Sequence, residues 1–153
     1  MRGLLLGFMC LCSLETVGYC QTLYLIAAGD VKDRGVGRVV ANTQEYLVDM
    51  FDSRYGGMPR ENIKVIYPSK DYPNSTSGKA LVIAIERLVI NLGDSILMFY
   101  VGHGGFDVGT RTHWLFFSDG KLARSDVEIA LRRHRDKASV CALVTDTCTP
   151  VPR

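Results

Sequence analysis

Four short apolar runs constrain the fold of this chain more than any other feature of its sequence. They occupy positions 23–28, 63–67, 96–101 and 140–144. Polar and apolar residues do not alternate within them, and continuous runs of this length are typical of strands buried on both faces. The runs therefore predict a parallel β-sheet at the centre of the molecule.

Helical patterns separate the predicted strands. Two of them carry an apolar stripe at helical spacing, formed by Val40, Thr43, Leu47, Met50 and Phe51, and by Leu81, Ala84, Ile85, Leu88 and Leu92. Gly56-Gly57 and Gly93 follow the stripes, as glycines often follow helix ends, and Thr76 or Ser77 can cap the start of the second helix. This strand–helix–strand order predicts an α/β fold with helices on both faces of the sheet.

The third helical pattern begins at Ser125, where Glu128 completes a capping box three residues later. It ends in the basic run 132–135, whose cations suit the negative end of a helix dipole. We interpret this run as a solvated helix end rather than as a nucleic-acid patch. Positions 114–117, followed by the turn residues 118–120, predict an extra short strand before the helix.

Size and charge limit the classes of function. The chain has 153 residues, which suits one domain, and its net charge of +2 is too small for nucleic acid or an anionic membrane to be the main partner. A positive start, an apolar stretch over 4–14, and the small residues Gly18 and Cys20 indicate a secretory signal peptide over residues 1–20. A buried first element and a lipid-anchored Cys20 are the alternatives. No later segment is apolar for long enough to span a bilayer, so we expect a secreted or periplasmic domain over 21–153.

Cys141 and Cys148 are the two cysteines of the predicted mature domain. They lie in one predicted strand and its exit, about 20 Å apart at ~3.3 Å per residue, which is far beyond disulfide reach. The sequence therefore predicts two free thiols in an exported domain. A free thiol in an oxidising compartment requires an explanation.

The residues that follow the predicted strands carry the strongest functional signal, because sites in open parallel sheets form beyond the carboxyl ends of the strands. His103 follows the third run within Gly102-His103-Gly104-Gly105, and Cys148 follows the fourth run. A cysteine and a histidine at neighbouring strand ends suit nucleophilic catalysis. The glycines at 35 and 37 hint at a dinucleotide loop, but the third glycine of that fingerprint is missing.

Several segments resemble the caspase-like cysteine peptidases, and metacaspases more than animal caspases. Residues 93–104, with Tyr-Val-Gly-His-Gly at their end, are similar to the histidine segment of these enzymes. Residues 117–120, followed by 125–129, are similar to the stretch that comes next in them. Asp146-Thr147-Cys148 resembles the Asp-Ser-Cys of metacaspases. The resemblance covers about residues 22–148. It implies a three-layer α/β/α sandwich around a mainly parallel sheet, represented here by its large-subunit portion without the small-subunit strands.

The resemblance also implies a cysteine-type endopeptidase. Cys148 would be the nucleophile, His103 would transfer protons, and the amides of Gly104 and Cys148 would stabilise the oxyanion. Asp146 would line the S1 pocket and favour Arg or Lys before the cut, because a partly buried carboxylate pairs well with a cation. The alternative role of Asp146 is that of a structural hydrogen-bond acceptor at the strand end.

Two departures from the metacaspase pattern leave a second function open. Thr149-Pro150-Val151 follows the cysteine in place of His-Ser-Gly, and Asn42-Thr43 stands near the Asn-Asp pair that helps to line S1 in those enzymes. Asp30 is a candidate replacement for the lost acid. The chain is therefore an enzyme, with or without a separate small-subunit chain, or an inactive truncated domain that acts as an interaction module through an open sheet edge.

No cofactor and no metal ion are predicted. The spacing of the histidines and cysteines matches no zinc-ligand pattern. Asp119, Asp126 and Glu128 lie in a region where some metacaspases bind calcium, and oxygen ligands suit that ion. Acidic residues at turns and helix starts need no metal, so these residues leave calcium activation open without predicting it.

Overall fold

The computed structural model of this protein describes residues 21–30, 32–52, 57–66 and 77–148, with position 148 described by its backbone. The strands are β1 (Leu23–Ala28), β2 (Ile63–Ile66), β3 (Ser95–Asp107), β4 (Thr112–Phe117), β5 (Gly120–Ala123) and β6 (Val140–Cys148). The helices are α1 (Gly37–Phe51), α2 (Gly78–Glu86) and α3 (Arg124–Arg132), with a short 3-10 helix at Arg60–Asn62. The fold is mixed α/β, as the sequence predicts.

The strand β3 belongs to two hydrogen-bonded ladders. Its first part pairs in parallel with β1 and β6, and β1 pairs in parallel with β2, which gives the order β2–β1–β3–β6. Its last part, from Gly104 to Asp107, pairs antiparallel with β4, and β4 pairs antiparallel with β5. The predicted parallel sheet is present, and an antiparallel extension leaves from its central strand.

Helices cover both faces of the parallel sheet. Successive side chains of a strand point to opposite faces. The odd-numbered residues of β1 pack with α1 in one core cluster, whereas the even-numbered residues pack with α2 and α3 in a larger cluster. All six residues of β1 are buried, which is the physical reason for its continuous apolar sequence.

Strand bounds differ from the prediction mainly around β3. The sequence predicts that the third strand ends at 101, but β3 continues through the glycine-rich segment to Asp107 because β4 provides an antiparallel partner there. The predicted strand at 114–117 is part of β4, and the short strand β5 was not predicted. β6 also continues past its predicted end at 144 as far as Cys148.

Two apolar residues of the predicted helix stripes are exposed. Met50 is 51% exposed because it lies to one side of the stripe that α1 turns toward the sheet. Leu92 lies beyond the end of α2 at Glu86 and is 80% exposed. At the other end of α2, the Ser77 hydroxyl accepts a hydrogen bond from the Ala80 amide, as predicted for one of its two candidate caps.

The start of α3 lacks the predicted capping box. The helix begins at Arg124, and no side chain among the described residues, that of Ser125 included, caps it. The Glu128 carboxylate instead lies 3.2 Å from the guanidinium of Arg124 and 3.8 Å from that of Arg132. Within the basic run, His134 is not solvated: it is buried, and its Nε2 lies 2.7 Å from a carbonyl oxygen of α2.

In the part of the chain that the structure describes, no helix is long and apolar enough to cross a membrane. The predicted signal peptide, residues 1–20, and residues 149–153 lie outside the described residues. The export of the protein therefore stays a prediction.

Candidate active site

The parallel pairing of β3 and β6 brings the two predicted catalytic positions together. In its register, His103 is the partner of Cys148, and Val101 is the partner of Asp146. Neighbouring strands of a sheet lie about 4.8 Å apart. The backbones of His103 and Cys148 therefore lie side by side at the carboxyl end of the parallel sheet, as the sequence predicts.

The side chain of His103 is accessible and lies beside a carboxylate that sequence reasoning missed. It is 51% exposed, and its Nε2 lies 3.5 Å from Oδ2 of Asp33, which is 28% exposed. Asp33 belongs to the loop between β1 and α1. This loop reaches His103 because β1 and β3 are parallel neighbours, so that their carboxyl ends meet at one edge of the sheet.

Backbone amides hold the Asp33 carboxylate in place. Its Oδ1 accepts hydrogen bonds from the amides of Gly35 at 2.7 Å and Val36 at 2.9 Å, and its carbonyl oxygen accepts one from Gly37 at 2.9 Å. The bond from Val36, then that from Gly35, and then the nearby His103 hold the pKa of Asp33 below its usual value. Asp33 is thus an ionised group in a fixed orientation, with one oxygen bound to the turn before α1 and the other facing His103.

Asp30, the candidate replacement for the lost S1 acid, is engaged inside the protein. It is buried, its Oδ2 accepts a hydrogen bond from the Ser118 hydroxyl, and its Oδ1 accepts one from the Lys32 amide at 3.0 Å. Both carboxylate oxygens therefore have partners. This arrangement favours a structural role, in which Asp30 joins the β1–α1 loop to the turn after β4.

Asp146 lies in a position that suits contact with a substrate. It is exposed, and alternate positions of a strand share a face, so position 146 lies on the same face as position 148 and as His103 in the neighbouring strand. No hydrogen bond or ion pair joins its carboxylate to another described residue. The alternative role as a structural acceptor therefore has no partner among those residues.

Gly104, the predicted oxyanion residue, lies between two strands. It is buried and is the partner of Leu115 in the β3–β4 ladder. A β-carbon at position 104 would lie 2.8 Å from Cβ of Thr147 and 3.0 Å from the carbonyl oxygen of Trp114. The approach of β6 and β4 therefore requires glycine here, and the oxyanion role stays a prediction.

A buried tyrosine fixes the backbone of His103. The Tyr100 hydroxyl lies 2.8 Å from the carbonyl oxygens of His103 and of Phe116, and it accepts a hydrogen bond from the Phe116 amide at 3.1 Å. Burial raises the pKa of Tyr100 to about 12, so the hydroxyl keeps its proton and donates it to one carbonyl oxygen at a time. These bonds attach His103 to β4 where β3 exchanges its parallel partner for an antiparallel one.

Cys141 lies near the end of β6 opposite to Cys148. Both positions lie on this one extended strand, which keeps them far beyond disulfide reach of each other. The Cys141 thiol lies 3.5 Å from the carbonyl oxygen of Leu131, and desolvation by burial raises its pKa. A raised pKa disfavours the thiolate, which argues against Cys141 as a nucleophile.

The three acidic residues considered for calcium do not form one site. Asp119 accepts a hydrogen bond from the Gly78 amide at 3.1 Å, Glu128 is paired with arginines of α3, and Asp126 is exposed in the first turn of that helix. Among the described residues, no group of three or more His, Cys, Asp or Glu side chains is arranged to hold a metal ion.

No protein-family model and no curated protein matches this chain. The features that bear on its function are therefore the resemblance of the sequence segments and the geometry of the residues described above.

Proposed function

We propose that this protein is a caspase-like cysteine endopeptidase that cleaves after Arg or Lys. The register that pairs His103 with Cys148 across β3 and β6 carries the proposal. The helices on both faces of a parallel sheet support the further proposal that the fold is a caspase-like three-layer sandwich. Export, inferred from residues 1–20, would place the enzyme outside the cytoplasm.

The pair would act by nucleophilic catalysis. His103 takes the proton of the Cys148 thiol, and the thiolate attacks the scissile carbonyl carbon, whose π electrons move onto oxygen. The amides of Gly104 and Cys148 donate to this oxyanion, each contributing about 3 kcal/mol. The C–N bond then breaks as His103 gives its proton to the leaving amine. Water hydrolyses the resulting thioester, His103 accepting the proton of the water, and the thiol is restored.

Asp33 would act as a positioning residue through His103. A carboxylate next to an imidazole favours one orientation and one tautomer of the ring, and it stabilises the imidazolium that forms during catalysis. The separation of 3.5 Å between Asp33 Oδ2 and His103 Nε2 suits this role. Because backbone amides already fix the other carboxylate oxygen, the orientation costs little further entropy.

Asp146 would select the residue before the cut. An exposed carboxylate on the face that carries His103 can form a charge-assisted hydrogen bond with the guanidinium of Arg or the ammonium of Lys. The same carboxylate repels an acidic side chain. The position of Asp146 therefore supports a preference for basic residues.

Cleavage of a fluorogenic peptide that ends in Arg tests the proposal, with the full chain as enzyme and with and without calcium. Cys148→Ala should reduce kcat/KM by at least about 1,000-fold, because it removes the nucleophile. Cys141→Ala is the matched control, since this thiol lies on the same strand, and it should leave kcat/KM within about twofold. Asp146→Asn should raise KM for the Arg peptide about tenfold. It should also lower the ratio of kcat/KM for the Arg peptide to kcat/KM for a peptide ending in Asp.

The outcomes separate the two candidate functions. Turnover that survives Cys148→Ala would refute the assignment of the nucleophile. Absence of turnover by folded protein, with and without calcium, would refute the enzyme and favour the alternative of an inactive interaction module.

Asp33→Asn should lower kcat and shift the acid limb of the pH–rate profile, whereas a purely structural role would lower stability without moving that limb.

A further inference from the structure

A groove lies between α3 and the outer strand β6, toward the end of β6 opposite to Cys148. Its volume is about 570 Å³. Cys141 and Leu143 of β6 line one side, and the other side carries three arginines and one glutamate from α3 and the turn that follows it. The groove therefore has an excess of positive charge next to a β-strand.

The positive charge of the groove is only partly neutralised within the protein. Glu128 lies closer to Arg124, at 3.2 Å, than to Arg132, at 3.8 Å, and the Arg132 side chain is 71% exposed. Arg135 lines the groove and makes no ion pair with any residue that the structure describes. Two guanidinium groups are thus available for carboxylates from outside.

The outer edge of β6 is open within the described part of the chain. Its nine residues pair with β3, and no other described strand pairs with them. Such an edge presents a row of backbone N–H and C=O groups that can pair with an added strand. Val140 and Val144 are 55% and 40% exposed, and by alternation they lie on the face opposite to Cys141 and Leu143.

We propose that the edge of β6 binds an extended segment of a protein partner in which acidic and apolar residues alternate. An added strand gains its affinity from backbone hydrogen bonds and its specificity from alternate side chains. On one face, carboxylates would meet Arg132 and Arg135, and on the other, apolar side chains would cover Val140 and Val144. Neither His103 nor Cys148 takes part, so the interaction is independent of peptidase activity.

The same features favour a peptide over a nucleic acid. A phosphate backbone could pair with the arginines, but it provides no alternating amides for the β6 edge and no apolar side chains for the two exposed valines. The occupant is therefore a polypeptide strand.

Fluorescence anisotropy tests the proposal, with the full chain and a labelled synthetic peptide in which Glu and Val alternate. A peptide with Lys in place of Glu, two versions N-methylated at alternate residues, and a single-stranded oligonucleotide are the comparison probes. We expect the Glu–Val peptide to bind, the Lys peptide not to bind, and one of the N-methylated versions to lose binding because it cannot hydrogen-bond to β6.

A matched pair of variants then tests whether the peptide binds at the groove beside β6. Arg135→Glu should weaken binding about tenfold, because it replaces an attraction by a repulsion and breaks no ion pair within the described residues. Arg133→Glu should change the affinity less than twofold, because Arg133 pairs with Glu86 and does not line the groove. Cys148→Ala should leave binding unchanged.

Several results would overturn the proposal. They are the absence of binding to the Glu–Val peptide, equal binding of the Lys peptide or of both N-methylated peptides, and equal effects of Arg133→Glu and Arg135→Glu. Tighter binding of the oligonucleotide would indicate a nucleic-acid surface instead. Concentration-dependent dimerisation that excludes the peptide would indicate that a second copy of the chain occupies the edge.

Discussion

Replacing Tyr100 by phenylalanine removes the hydroxyl group that holds His103 to β4 and leaves the buried ring in place. Because the ring stays, the substitution opens no cavity larger than an oxygen atom, and the packing contribution stays small. The hydroxyl donates to the carbonyl oxygen of His103 or Phe116 and accepts from the Phe116 amide. The change therefore removes one donated and one accepted hydrogen bond.

The magnitude follows from those two bonds. A net hydrogen bond contributes about 1 kcal/mol to stability, and a buried polar group left without a partner costs about 1–3 kcal/mol. Tyr100 is fully buried, so water does not readily replace the hydroxyl. We expect Tyr100→Phe to lower the free energy of unfolding by about 1–3 kcal/mol.

Urea unfolding followed by circular dichroism measures this free energy, and hydrogen exchange locates it. The Phe116 amide should lose protection in Tyr100→Phe, because its acceptor is gone. Tyr46→Phe is the control: Tyr46 is 71% exposed, so the loss of its hydroxyl should change stability by less than about 0.5 kcal/mol. If the free energy of unfolding of Tyr100→Phe lies within about 0.5 kcal/mol of the native value, the hydroxyl does not stabilise the attachment of β3 to β4 as proposed.

Three further predictions concern stability. Burial raises the pKa of Tyr100 to about 12, so the folded state keeps this proton above pH 10 while the unfolded chain loses it. The free energy of unfolding should therefore fall by up to about 3 kcal/mol from about pH 10 to about pH 12. Urea midpoints measured across this pH range should fall less for Tyr100→Phe than for the native protein. Ser77→Ala should cost about 1 kcal/mol, because it removes the cap of α2, whereas Ser125→Ala should cost less than about 0.5 kcal/mol; equal urea midpoints for the two variants would contradict this. Gly104→Ala should destabilise the protein by about 1–3 kcal/mol, because the new methyl group would lie 2.8 Å from Cβ of Thr147; an unchanged midpoint would show that the strands move apart without cost.

The centre of the sheet could be predicted because its physical requirement is simple. A strand buried on both faces must be apolar at successive positions, and β1 meets this requirement at all six residues. The extension of β3 beyond 101 could not be found in this way. Glycines weaken a strand taken by itself, and this segment is extended because β4 pairs with it, which is a tertiary effect.

Local helix signals were less reliable, because other contacts, within the helix or between helices, compete with them. Ser125 and Glu128 have the spacing of a capping box, yet Glu128 pairs with arginines one turn away on each side, and α3 begins at Arg124. His134 belongs to a basic run in the sequence, but the packing of α2 against α3 buries it. The contact of His134 depends on which helices become neighbours, which a local pattern does not contain. The Glu128 pairs lie within one helix, so there two local patterns compete for the same carboxylate.

The candidate site also has one part that could be predicted from the sequence and one part that could not. The ends of parallel strands align at one edge, so His103 and Cys148 could be predicted as neighbours from two strand ends. Asp33 could not, because it lies seventy residues before His103 and reaches it through the conformation of a loop. The available signal was an aspartate two residues before a glycine, which is typical of a carboxylate that binds the backbone amides of a turn. That signal does not identify the histidine.

The change of partner along β3 fixes the backbone at the candidate site. Up to His103 the strand is fixed by β6, and from Gly104 onward it is fixed by β4, with the Tyr100 hydroxyl joining the two regions. The backbone of His103 thus lies where the β3–β6 ladder ends and the β3–β4 ladder begins, and both ladders hold it. Its side chain is half exposed at this junction. Residues on strands hold a catalytic geometry more precisely than residues on loops. The backbone of His103 and Cys148 is therefore the rigid part of the candidate site. If the proposed function is correct, substitutions in the loop that carries Asp33 should change activity without disrupting the sheet.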